Sequence, residues 1–257
     1  MKEQPQISVM LIAATSGEPA KLTSSEILIY TKATRLEQGE DTRQKIAKMS
    51  ADERAQELAY MADTIPSSWE FLDYTFEIKN VTRAFTHQLV RTRTGSYAQQ
   101  TMRMLDKKDF TYRVPPRLTA EGQSDSRRHY EECMADIQRV YDYLIESGVA
   151  PEDARGVLPT NIHTNIIAKF NLRTLAEMAR SRTGARTQDE YREVMDLVIN
   201  CVTELHPWAK MFLLPEVGRH AKALEEAISQ LLRGGSITDV QRTAMLKHID
   251  SMRKGAS

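Results

Sequence analysis

Apolar residues are spaced along this chain in two rhythms, one short and alternating, the other helical. Ile7 to Ile12 is a short apolar run closed by Thr15-Ser16-Gly17, which predicts a strand and a turn. From Asp41 to Ala62, Ile46, Met49, Ala55, Leu58 and Met61 recur at helical intervals among charges, predicting one or two helices, with Ser50 capping the second. Trp69 to Lys79 alternates as a strand, with Phe71, Tyr74 or Phe76, and Ile78 among β-branched and aromatic neighbours. Val81, Phe85 and Leu89 then form the stripe of a helix reaching about Arg93, and Arg83, His87, Gln88 and Arg91 lie elsewhere around it.

Beyond a short strand at Phe110-Thr111-Tyr112, Pro115 and Pro116 mark an irregular connection. Ser124 and Asp125 are candidate caps of a helix with Tyr130, Met134, Ile137, Tyr141, Leu144 and Ile145 inward, stopped by Gly148. A segment from about Pro151 is broken by Pro159, and helical spacing resumes from Ile162 to Ser181. Thr187-Gln188-Asp189-Glu190 reads as a capping box opening a helix through Tyr191, Val194, Met195, Val198, Val202 and Leu205 to Pro207. Two amphipathic helices follow, about Glu216 to Leu232 and Thr238 to Met252, parted by Gly234-Gly235-Ser236. Strands are few and do not alternate with helices, so the expected fold is α+β: a small, mostly antiparallel sheet flanked by helices, with a long helical carboxyl-terminal half. The expected division is one domain over 1–215 and a helical extension over 216–257.

Composition narrows the partners. In 257 residues, 35 basic and 35 acidic side chains cancel, so no overall field draws the chain to nucleic acid or membrane, and any basic site is local. Cys133 and Cys201 lie in helical patterns without zinc spacing and are expected as buried thiols of a reducing cytoplasm. The amino end carries neither a basic lead nor a cleavage-site pattern, and no apolar run approaches the roughly 18 to 20 residues of a membrane span. Six scattered histidines offer no metal pair, and phosphate-loop, dinucleotide and nucleophile-elbow motifs are lacking.

The local basic site has a clear candidate. Arg91-Thr92-Arg93-Thr94-Gly95-Ser96-Tyr97-Ala98-Gln99-Gln100-Thr101-Met102-Arg103 sets three arginines where an apolar helix gives way to a loop. A second group, Asn171 to Arg186, carries Arg173, Arg180, Arg182 and Arg186, and Arg155 precedes Gly156-Val157-Leu158-Pro159. Forked guanidiniums at backbone breaks suit phosphates and planar anions. Each arginine taken singly is also read as an ordinary exposed helix charge.

Order and spacing go further. Gln88-Leu89-Val90-Arg91-Thr92-Arg93, Ser96-Tyr97 and Thr101-Met102-Arg103 resemble the signature of flavin-dependent thymidylate synthases: Arg-His-Arg, then after seven residues Ser, then two further on Arg. Glu146-Ser147-Gly148-Val149, Ala154 to Pro159, Asn171-Leu172-Arg173, and Arg182 with Gln188 and Glu190 follow in that family's order. Ser67-Ser68-Trp69-Glu70-Phe71 resembles its Ser/Thr-Pro-Phe-Glu-His segment, so the likeness covers about Ser67 to Leu213.

The resemblance implies a homotetramer that passes a one-carbon unit from methylenetetrahydrofolate to C5 of deoxyuridylate, using FAD and NADPH. It implies Ser67, Arg91, Thr92, Arg93, Asn171 and Arg173 at the flavin, and Gln88, Gln99, Thr101, Arg103 and Arg155 at the nucleotide. Arg182 would lie against the pyrimidine as the catalytic residue, with no metal. The chain departs from the motif at Thr92 for histidine, Gln99 for an acid, Thr101 for serine, Arg186 for histidine, Thr187 for alanine, Ser68 for proline and Phe71 for histidine. Those departures leave two alternatives beside thymidylate synthesis: a C5 hydroxymethylase acting on dUMP or dCMP, or a non-catalytic nucleotide-binding relative.

Overall fold

The computed structural model describes residues 5–15, 21–34, 41–102, 110–182, 187–214, 227–228, 230–231, 238 and 240–246. In chain order the named elements are β1 (Ser8–Ala14), α1 (Ser24–Ala33), α2 (Thr42–Ala47), α3 (Ala51–Thr64), β2 (Asp73–Thr82), α4 (Arg83–Leu89) and β3 (Ser96–Gln99). They continue with α5 (Ser124–Glu146), α6 (Pro151–Ala154), β4 (His163–Asn171), α7 (Leu172–Arg182), α8 (Asp189–Leu205) and α9 (Lys210–Leu213). The four strands form one sheet in the order β1-β2-β4-β3. The expected α+β class is borne out.

By contact the chain divides into two compact units, one of residues 1–12 and 75–169, the other of 13–74 and 170–257. In the first unit β2 buries Phe76 and Ile78, and β4 buries Thr164, Ile166 and Ala168. Each large apolar side chain so removed from water contributes about 1.5–3 kcal/mol. β3 runs antiparallel to β4, with Ser96 opposite Lys169 and Gln99 opposite Ile166. α5 contacts α6 and, on its inner side, buries Met134 and Tyr141.

In the second unit α1 packs on α3, and α7 on α8 and α9. Ser50 caps α3 in a complete capping box with Glu53, as the pattern predicts. Thr23 and Glu26 build a second box at α1. Tyr191, Val194, Met195, Val198 and Val202 are the buried stripe of α8.

Several expectations are corrected. Ile162 to Ser181 is a strand followed by a helix: Thr164, Ile166, Ala168 and Phe170 are buried in alternation, and Asn171 begins the helical turn. β2 runs on to Thr82, so the helix expected from Val81 to Arg93 spans only Arg83–Leu89. Trp69 to Phe71 belong to a 3-10 turn, Pro66–Phe71, and Phe71 is 62% exposed. Phe110 to Tyr112 makes only an isolated bridge, Tyr112 to Ile162. Ser124 and Asp125 lie inside the first turn of α5, with Gln123 at the cap position and no side-chain cap bond. Likewise Gln188, not Thr187, precedes α8 and caps nothing, an amide side chain one carbon longer than a good cap. Cys133 is exposed and Cys201 half-buried, because the inward stripe of α5 falls on Met134 rather than its neighbour. Gly148 ends α5 as expected, at φ +84°. Of the two tail helices, most of the first and the ends of the second lie outside the described residues, and 240–246 is helical.

Candidate functional site

Within the first unit the site is built on the junction from β2 through α4 to β3. Thr82 caps α4, its hydroxyl accepting the Phe85 N–H at 3.0 Å, and Phe85, Thr86 and Leu89 are buried. Helical bonding stops at Val90, and the chain then turns tightly: Arg91 N–H donates to the Gln88 carbonyl at 3.2 Å, Thr92 N–H to Leu89 at 3.0 Å and Gly95 N–H to Thr92 at 3.1 Å. Tyr97 reaches back from β3, its hydroxyl 3.0 Å from the Leu89 carbonyl oxygen and 2.7 Å from that of Thr92. The turn is thus fixed through its backbone, which leaves the Arg91 and Arg93 side chains exposed.

Gln99 Nε2 donates to Thr86 Oγ1 at 2.8 Å, and that hydroxyl donates to the Arg83 carbonyl at 3.0 Å. Gln88 is half-buried and Thr101 exposed. Arg103 lies outside the described residues, as does Arg186. Arg155 follows the short α6 in a 3-10 turn, exposed, with Nε donating to the Glu152 carbonyl at 2.9 Å.

Sequence reasoning missed Arg83. It is the first residue of α4, half-buried, with Nη2 donating to the Gln100 carbonyl at 2.9 Å. Burial, and after it the charge of Arg155, holds its guanidinium below the usual arginine range. The available signal was Thr82, a cap residue directly ahead of it. Arg83, Arg91, Arg93 and Arg155 make no ion pair among the described residues, so four cations remain for an anion.

In the second unit the turn Pro66–Phe71 carries Ser67, exposed, and Glu70. Trp69 anchors it, Nε1 donating to the Met61 carbonyl at 3.1 Å and its ring edge-on to Phe212 at 5.0 Å. Ser68 N–H donates to the Ile65 carbonyl at 3.1 Å, a bond that the family's proline could not make. Asn171 Oδ1 accepts the Thr174 N–H at 2.8 Å and so caps α7. Arg173 is oriented by two carboxylates, Nη1 to Glu70 at 2.7 Å and Nε to Glu177 at 3.2 Å. The Glu70 bond first, then Glu177, raises its pKa. At the far end of α7 the Arg182 guanidinium stands 4.9 Å from the ring centroid of buried Tyr191.

A family profile described as thymidylate synthase complementing protein matches residues 11–208. A flavin-dependent thymidylate synthase of Nitratidesulfovibrio vulgaris is 32% identical over 198 residues, covering 72% of this chain and 77% of the relative. The chain belongs to the flavin-dependent thymidylate synthase family. Another member, from Saccharolobus solfataricus, is 33% identical over 208 residues, covering 78% of this chain and 74% of its own length. Among solved structures, the UMP/dUMP methylase PolB from Streptomyces cacaoi, bound with 5-Br dUMP, superposes with a TM-score of 0.66 over 80% of this chain and 94% of its own, at 18% identity, a likeness of fold.

Flavin-dependent thymidylate synthases are methyl-transferring enzymes with a flavin cofactor, and this chain is an enzyme of that kind. Its donors fit such a group. Arg91 and Arg93 are exposed and without ion pairs among the described residues, as a diphosphate requires, and Asn171 keeps its Nδ2 donor beyond the cap. Among the described residues no cluster of His, Cys, Asp and Glu is arranged to hold a metal, and no helix is long and apolar enough to cross a membrane.

Proposed function

We propose that this chain transfers the one-carbon unit of methylenetetrahydrofolate to C5 of deoxyuridylate, giving thymidylate, with FAD bound, NADPH as reductant, and a homotetramer as the working form. The reading also takes 1–215 as the catalytic domain, 216–257 as a helical extension, and the cytoplasm as the compartment. The observation that carries it is the set of arginines without carboxylate partners, Arg91 and Arg93 on the Tyr97-braced turn and Arg155 beyond α6, in a chain of this family.

In this reading Arg91, Thr92 and Arg93, with Ser67, Asn171 and Arg173, hold FAD, which when bound supplies the hydride. Gln88, Gln99, Thr101, Arg103 and Arg155 hold the nucleotide. Gln99 gives one amide N–H to Thr86, so its Oε1 and its second N–H remain for a base edge. Arg182 stabilises the negative charge that develops on the pyrimidine as C5 becomes nucleophilic. Two features support that role: no carboxylate neutralises Arg182 among the described residues, and its guanidinium rests over the Tyr191 ring.

The test is incubation with deoxyuridylate or deoxycytidylate, methylenetetrahydrofolate, FAD and NADPH, with mass analysis of the nucleotide. A gain of CH2 is expected on deoxyuridylate. A gain of CH2O instead establishes the hydroxymethyl alternative, and an unchanged nucleotide with FAD bound leaves the non-catalytic relative.

A further inference from the structure

Within the second unit, the start of α1 and the segment after α8 line a cleft of about 440 Å³. That volume lies in the range of small-molecule sites, roughly 300–1,000 Å³. None of the residues read above as flavin or nucleotide contacts lines it. Its wall is Thr15, Thr23, Ser24, Ser25, His206 and Trp208, with the exposed Leu205 as an apolar edge. Among the described residues no Asp, Glu, Lys or Arg lines it, and burial holds the His206 imidazole below its usual range, hence neutral. Glu26, the acid next to Ser25, is turned elsewhere, to the Thr23 N–H at 2.7 Å and to Arg54 at 2.9 Å. A charged ligand would give up its hydration here and meet no counter-charge, so the cleft suits an uncharged one.

The polar groups of this wall have protons to spare. Thr15 Oγ1 accepts the Asp73 N–H at 2.9 Å, and its own proton meets no acceptor among the described residues. Thr23 and Ser25 share one hydrogen bond at 3.1 Å, which uses one of their two hydroxyl protons and leaves the other. The buried Tyr74 hydroxyl lies 3.0 Å from His206 Nδ1, its partner among the described residues, and burial keeps that phenol protonated. Tyr74 therefore donates to Nδ1, and the neutral imidazole carries its own proton on Nε2. Trp208 Nε1–H has no hydrogen-bond partner among the described residues. Its indole is held by His206, stacked at 5.2 Å and 22°, and by Phe212, edge-on at 5.7 Å. Ser24 has given its proton to the Thr15 carbonyl at 2.5 Å, so its oxygen is left to accept.

The geometry points to this cleft as a binding site for an uncharged planar heterocycle with ring carbonyls, a pyrimidine nucleoside in size and chemistry. Ring carbonyls accept what the cleft has to donate, and the ring N–H between them has the Ser24 oxygen to meet. Leu205 and the Trp208 indole supply the apolar contact that a flat ring needs. A sugar brings a donor with every hydroxyl it offers and matches this excess of donors less well. The site is independent of the methyl-transfer reading, and a nucleotide is disfavoured in it because its phosphate would meet no cation.

The test is calorimetry of thymidine with the FAD-loaded full chain under saturating deoxyuridylate, so that the nucleoside does not report on the nucleotide site. Thymidine is expected to bind. Trp208→Phe, which keeps a ring and removes the N–H, is expected to weaken it by about 2- to 10-fold, the worth of one hydrogen bond, with deoxyuridylate affinity unchanged. Ser25→Ala is expected to weaken it in the same range, and it carries the test if the Trp208 variant fails to fold. Thymidylate is expected to bind more weakly than thymidine under the same saturation. Absence of thymidine binding to the wild type overturns the inference, as does binding that neither variant weakens. Thymidylate held as tightly as thymidine, or deoxyribose held as tightly as either, overturns the class of ligand assigned. A chain that binds no deoxyuridylate sinks the functional reading alone, and thymidine binding weakened by Trp208→Phe still supports the cleft.

Discussion

The guanidinium of Arg182 lies 4.9 Å from the ring centroid of Tyr191, a cation held over a fully buried aromatic face at the end of α7. Such a cation–ring contact contributes about 0.5–2 kcal/mol. Arg182→Ala is expected to lower turnover by about 100-fold or more, as for removal of a charge-stabilising donor, with the melting temperature nearly unchanged. Wild-type turnover in this variant would remove Arg182 from the reaction.

Gln99 is bonded to Thr86, whose hydroxyl proton is already given to the Arg83 carbonyl. Gln99→Glu would set an acceptor against an acceptor. The variant is expected to lose about 1–3 kcal/mol of stability, read by urea unfolding, and Gln99→Glu combined with Thr86→Ala is expected to recover part of it. An unaltered unfolding midpoint would show that the contact is not maintained in solution.

Tyr97→Phe removes the hydroxyl that spans the Leu89 and Thr92 carbonyl oxygens. The expected cost is about 1 kcal/mol, and FAD affinity should fall more than stability does, because the turn that carries Arg91 and Arg93 loosens locally. FAD titration of the variant against wild type decides it.

His163 sits beside Thr111, Nδ1 3.0 Å from the hydroxyl, and burial first, then the charge of Arg113, pushes its pKa down to about 4 from 6.5. Between those values the unfolded chain takes up a proton that the folded chain refuses. Stability therefore falls as pH drops through this window and is unaffected above it. Urea midpoints at pH about 7.5 and about 5 should diverge in wild type and less so in His163→Gln; identical pH dependence in both would assign the effect to another group.

What the sequence made legible was punctuation and order. Ser50 with Glu53, Gly148, and the Tyr191-to-Val202 stripe all declared themselves because cap and stripe chemistry is local. The segment after Ile162 misled for a specific reason: Ile162, Ile166 and Phe170 are spaced by four, which satisfies a helix face and every second step of a strand alike. Thr164 and Ala168, the buried residues between them, are too small or polar to break the tie from sequence. β3 was hidden because its four residues gain strand form from pairing with β4, not from their own pattern. Arg83 escaped because a cation off the apolar stripe reads as solvent-facing until β2 is seen to extend to Thr82 and put it half inside. The arginines of the motif were found by their spacing; what orients Arg173, namely Glu70 about a hundred positions earlier, has no sequence signal.

Tyr97 holds the carbonyl of residue 92, not its side chain. Instructions for the shape of the arginine turn are therefore written five positions downstream of the place where this chain departs from its family, and position 92 is released from any architectural duty. A histidine there can give way to threonine without displacing Arg91 or Arg93. Chemistry at the turn can drift in descent while its geometry is inherited intact.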